Sequence, residues 1–329
     1  MTHATKKDAD PQGGARATGD AAPAKKKERT LDEPIAWLER AQDARADRRA
    51  ARALPAQRAR STTEKVLTRG TSGAIYAIVT IVALALGPFA TTVLVMGEAW
   101  LCCSEFFRIC RMGGRMPNEV IGLGAALLFP LAAYTRSLAA LSLVVFLLLI
   151  AVACWDVMTP RANLADVAVT VFGPLYTSLT FSSIVLIRNG IDGWEGGVIT
   201  FCVMASIWLN DAGAYLVGSL FGRHKFAPKI SPKKTWEGFV GGLVVSVAVW
   251  LGLCFLIPDF SVWLAVVTGL VVGLAAVLGD LFESRIKRGV GVKDSGNFMP
   301  GHGGLLDRSD SMLFGAMAAW FILRFGGIL

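Results

Sequence analysis

From about residue 72 to the C-terminus the chain alternates apolar runs with polar connections, and most runs approach the roughly 20 residues a helix needs to cross about 30 Å of hydrocarbon. Nine such segments are expected, over 72–86, 88–107, 118–134, 137–155, 166–187, 194–220, 238–257, 261–281 and 311–328. Inside lipid every backbone N–H and C=O must be paired within the protein, and a helix does this within one segment. The expected fold class is all-α: a polytopic integral membrane protein with about nine transmembrane helices. With 53% hydrophobic and 18% charged residues, a water-soluble domain would struggle to hide this apolar load. Gly87-Pro88 parts the first two runs, so one kinked segment competes there with a helical hairpin.

Charge placement sets the orientation. With nine spans and a cytoplasmic N-terminus, 30 of the 33 Lys and Arg fall inside, leaving only Arg136, Arg188 and Arg324 outside. Residues 1–71 form a basic cytoplasmic tail with 16 basic and 10 acidic residues, and the excess suits an anionic leaflet. Residues 1–30 lack apolar periodicity and read as disordered. The remainder, 72–329, is the transmembrane domain. Its six cysteines lie in or beside apolar spans without CxxC spacing and read as small hydrophobes.

Two connections, 221–237 and 282–310, are long, charged and glycine-containing, and both face the cytoplasm in this topology. Around the second, Asp280 ends a span, while Asp307 and Asp310 stand three apart and share a helix face, so carboxylates converge at one membrane boundary. Like charges that close need a cation, and magnesium, held by one or two carboxylates plus substrate phosphates, suits them. Gly303 and Gly304 let backbone amides approach phosphate, and Lys287, Arg288, Lys293 and Arg308 supply positive charge. A polar loop with Asp307 as a helix cap is the plainer reading. The first connection holds Ser231-Pro232-Lys233-Lys234-Thr235, which resembles a phosphate clamp without Walker A spacing; a snorkelling basic loop is the alternative. Asp211 lies within an apolar span, where an ionisable residue is a functional candidate or the buried partner of a lysine. Glu98 and Glu105 are weaker cases of the same kind.

The stretch from Ser284 to Asp310 resembles the signature of the phosphatidate cytidylyltransferase family: Ser284, Lys287-Arg288, Lys293-Asp294, His302-Gly303-Gly304, Asp307-Arg308 and Asp310 stand at its spacing. Asp211 to Tyr215 and Ser231 to Gly238 are similar to two further features of that family. Met299 and Ser309 depart from its usual residues without touching the charged positions. The resemblance is strong over about 194–329 and looser over 72–193.

It implies an enzyme of the inner or plasma membrane that joins CTP and phosphatidic acid into CDP-diacylglycerol and pyrophosphate, with its loops cytoplasmic. Carried onto these positions, Asp280, Asp307, Asp310, Lys293 and Asp294 are the expected catalytic residues. Ser231, Lys233, Lys234, Thr235, Gly303, Gly304 and Arg308 would bind CTP, and Lys287 and Arg288 the lipid phosphate. Asp280, Asp307, Asp310 and Asp211 would hold Mg2+, with two cations expected in the site. Membrane lipid is the other expected partner, a homodimer is the candidate assembly, and no nucleic acid is expected. Competing readings are a CTP-using lipid kinase of the dolichol kinase type and a transporter; the second would show internal repeats with paired broken helices.

Overall fold

The computed structural model describes residues 71, 73–160, 163–257, 260–296, 298 and 303–329. Expectations for the basic tail, Arg161, Met299 and the stretch 300–302 lie outside the described residues.

Helices follow the apolar runs: α1 Gly73–Leu86, α2 Pro88–Met112, α3 Glu119–Tyr134, α4 Leu138–Met158, α5 Leu164–Pro174, α6 Thr180–Gly190, α7 Gly193–Phe221, α8 Trp236–Leu256, α9 Val262–Gly289 and α10 Leu306–Phe325. A π-helical stretch, Leu175–Leu179, joins α5 to α6 into one rod. It begins just after Pro174, which has no N–H to return to the preceding turn. At Gly87, φ is 109°, and Thr91 Oγ1 donates to the Ala83 carbonyl at 3.2 Å. Residues eight apart on a straight helix would be separated by about 12 Å, so α1 and α2 meet at a sharp break and not as one gently kinked rod.

Five of these rods are long and apolar enough to cross a membrane: Leu138–Met158, Leu164–Gly190, Gly193–Phe221, Trp236–Leu256 and Val262–Gly289. The other four fall short for two reasons. α1 and α3 are brief apolar helices. α2 carries Glu98, Glu105, Arg108 and Arg111, and α10 carries Asp307, Arg308, Asp310 and Arg324, which lower their mean hydropathy. The protein is thus an integral membrane protein that, among the described residues, is all-helical but for one small hairpin. Large apolar side chains such as Leu143, Phe146 and Ile150 on α4, and Val240 and Val244 on α8, are exposed, the surface that lipid covers.

Small residues bring α7 to α10 close together. A Cβ on Gly242 of α8 would stand 2.8 Å from the Asn210 carbonyl of α7, and one on Gly269 of α9 would stand 2.6 Å from Val247 Cα of α8. Gly279 likewise seats the backbone of Asp310 against α9. Such close approach is how helices associate in lipid, where apolar burial between them gains little.

The structure redraws both long connections. α9 continues to Gly289, past the expected end near residue 281, so Asp280, Glu283 and Lys287 are helical. Glu283 and Lys287 form an i,i+4 ion pair, and Lys287 and Arg288 suit the negative end of the helix dipole. With 28 residues α9 is about 42 Å long, enough to carry its last turns beyond about 30 Å of hydrocarbon. The expected connection 221–237 contains an antiparallel hairpin, β1 Lys225–Ala227 with β2 Ser231–Thr235, paired Lys225 to Thr235 and Ala227 to Ser231. Thr235 closes it and caps α8, its Oγ1 accepting from Gly238 N at 3.2 Å. Phe226 stacks on Phe239 with ring centroids 5.2 Å apart, fastening the hairpin to the start of α8.

Candidate active site

Four elements meet at a cleft of about 890 Å³: the second half of α7, the hairpin with the start of α8, the stretch of α9 at Val277 and Asp280, and the first turn of α10. Its polar lining includes Asp211, Asp280, Asp307 and Asp310 with Lys225, Lys233, Lys234 and Arg308, and the hydroxyls of Ser219 and Thr235. Trp208, Tyr215, Phe226, Phe239 and Val277 supply an apolar side, and Tyr76 of α1 also reaches it.

The charges are placed by helix packing. Asp211, Asp280 and Asp310 come from α7, α9 and α10 and are like-charged neighbours of one another. Asp310 is buried and accepts from Ser311 N at 2.7 Å. Lys234 reaches in from the hairpin, its Nζ 2.6 Å from Asp280 Oδ2. Lys233 beside it is exposed.

Asp307 is held differently. It accepts from Lys287 Nζ at 2.6 Å, from Ser295 N at 2.9 Å and from Gly304 N at 2.9 Å. Burial pushes its carboxyl up, but the Lys287 ammonium and these amide donors outweigh burial and hold it below the ordinary aspartate range. Lys287 is itself buried between Glu283 and Asp307.

Of the residues singled out from the sequence, Asp211, Lys233, Lys234, Thr235, Asp280, Asp307, Arg308 and Asp310 are therefore brought to one cleft. Others stand apart from its lining. Lys287 is spent on two carboxylates, and Arg288 is exposed and donates to the Val292 carbonyl at 2.8 Å. Lys293 and Asp294 are exposed on the α9–α10 connection, and Ser231 opens β2. Gly303, at φ 90°, lies against Asp307, and the amide of Gly304 serves the Asp307 carboxylate.

Sequence reasoning gave no role to Glu283 and rated Glu105 only as a weaker candidate, and the structure makes both prominent. Glu283 is buried against Lys287, a pairing legible from its i,i+4 spacing. Glu105 of α2 reaches the start of α10, and its only local signal is a charge inside an apolar run.

Four aspartates line the cleft and, among the described residues, no thiol or imidazole does; such oxygen donors suit a hard divalent cation. Among the described residues no three such side chains converge on a single ligand point.

Fold and site together define an integral membrane protein with a cleft lined by carboxylates and basic side chains. More narrowly, the chain belongs to the cytidylyltransferase family, whose pattern matches residues 67–325. It is 40% identical over 167 residues to the phosphatidate cytidylyltransferase of Mycobacterium bovis, covering 50% of this chain and 53% of that one. Against the protein of the same name from Staphylococcus haemolyticus it is 41% identical over 155 residues, covering 47% of this chain and 58% of the relative. Against that of Staphylococcus aureus strain COL the identity is 50% over 109 residues, covering 33% and 42%. The chain spans about half the length of the curated relatives it matches.

Proposed function

We propose that the protein transfers the cytidylyl group of CTP to phosphatidic acid, releasing pyrophosphate and leaving CDP-diacylglycerol in the membrane. The observation that carries this reading is one cleft, beside membrane-crossing helices, that unites Asp211, Asp280 and Asp310 with Lys233, Lys234 and Arg308. A lipid phosphate oxygen attacks the α-phosphorus of CTP. The bond from that phosphorus to the oxygen bridging to the β-phosphate breaks, and pyrophosphate departs with the electron pair. No protein nucleophile is needed; the difficulty is bringing two anions together in line.

Lys233 and Lys234 on the hairpin, with Arg308 on α10, hold the triphosphate and offset the repulsion. Asp280, with Asp211 and Asp310, would hold Mg2+, which when bound neutralises charge on the attacking and leaving oxygens. Asp307, although it lines the cleft, acts through its bond to Lys287 by fixing the first turn of α10 against α9. The apolar side at Trp208 and Tyr215 faces the lipid substrate, whose acyl chains stay in the bilayer.

The same reading places the N-terminus and the cleft on the cytoplasmic side, because 30 of 33 basic residues then lie inside. α1, α2, α3 and the part of α10 from residue 311 onward complete the crossings, with Glu98 and Glu105 buried within the bundle and away from lipid. Incubating the purified chain in micelles with labelled CTP, phosphatidic acid and magnesium tests the reaction by the appearance of a labelled lipid.

A further inference from the structure

The α10 helix begins without a cap of its own. Leu305 stands at its N-cap and offers no side-chain acceptor, although the first amides of a helix have no partner within it. The missing acceptor comes from α2. Glu105, 8% exposed, accepts from Leu305 N at 3.0 Å through Oε1 and from Leu306 N at 2.8 Å through Oε2. Its Oε2 also accepts from Ser295 Oγ at 2.9 Å, tying in the connection that follows α9. Two glycines make room for it: a Cβ on Gly296 or on Gly304 would run into the Glu105 carboxylate. The negative charge also sits where the α10 dipole is positive.

We propose that Glu105 is a positioning residue for the reaction, a cap supplied by a distant helix that sets where the first turn of α10 presents Arg308 and Asp310 to the cleft. It touches no substrate itself. Ser295, Gly296 and Gly304 are its counterparts, so part of the loop's glycine content serves a carboxylate of the protein. The positioning role rests on the proposed transfer reaction, whereas the capping contact does not.

Two measurements on the full chain in micelles separate them. Amide hydrogen exchange needs no substrate. In Glu105→Ala, exchange over 303–310 should quicken at least tenfold while α7 and α8 keep their protection, and Glu105→Gln, which keeps shape but loses an acceptor, should fall between. Unchanged protection at 303–310 overturns the proposal, as does loss confined to α2 and α3. Should Glu105→Ala unfold throughout, Ser295→Ala decides, because it removes one donor and leaves α2 intact: local quickening over 303–310 supports the cap, and none refutes it.

In turnover, Glu105→Gln should raise the KM for CTP at least fivefold, since Arg308 rides on the displaced turn. A variant that merely lowered the folded fraction would reduce kcat and leave KM unmoved, contradicting the positioning role. If the unaltered chain makes no lipid product, the functional reading fails and exchange alone decides the cap.

Discussion

Lys287 Nζ lies 2.6 Å from Asp307 Oδ1, joining the end of α9 to the start of α10. The same ammonium pairs with Glu283, so one buried cation neutralises two buried carboxylates from two helices. Removing one partner of a buried pair leaves uncompensated charge and costs about 3–5 kcal/mol. Lys287→Met should therefore lower stability by roughly that amount, and activity with it. Chemical denaturation read by tryptophan fluorescence would check this; a change within about 0.5 kcal/mol, the scale of an ordinary surface substitution, would show that the pair contributes nothing.

Because Asp307 is held below the ordinary aspartate range, it contributes stability above its unfolded value of about 3.9 and loses it as pH falls through the lower folded value. The acid limb of unfolding below about pH 4 should be shallower in Asp307→Asn than in the unaltered chain. Identical acid limbs would mean that the Lys287 contact does not bias this proton.

Asp280 and Asp310 are proposed to act through one bound cation. Asp280→Asn and Asp310→Asn should each cost on the order of a hundredfold in rate, and the double variant should be little worse, since both remove the same interaction. Rate measurements across a magnesium titration would expose independent action as losses that add fully in log rate.

The orientation is open to cysteine labelling, and the structure says where to place the probes. A side chain at Gly222 or Gly296 would collide with Thr235 or Glu105, whereas Lys229 and Phe298 are exposed. With the exposed Cys154 replaced by Ser, cysteines at 229 and 298 should resist an impermeant reagent added to intact cells. Labelling there would reverse the topology.

The apolar runs locate all the helical rods among the described residues because hydropathy is a local property. The charged signature from Ser284 to Asp310 likewise marks α9, α10 and their connection. What escaped is relational. Nothing within a few residues of Asp307 says that Lys287 will donate to its carboxylate, so the pairing of an expected metal ligand with an expected phosphate-binding lysine was not legible. Glu105 meets Leu305 across 200 residues of chain. The hairpin escaped for a different reason: β1 has three residues, too few to show alternation, and Pro232 in β2 argues against a strand except at an edge.

The central claim is that the α-phosphorus of CTP ends in the lipid. Parallel reactions with CTP labelled at the α- or the γ-phosphate, each with phosphatidic acid and magnesium, test it in one chromatogram. The account predicts label in the lipid fraction from the α-position alone, together with release of pyrophosphate. Label arriving from the γ-position would make the protein a lipid kinase and contradict the account, as would no labelled lipid from either.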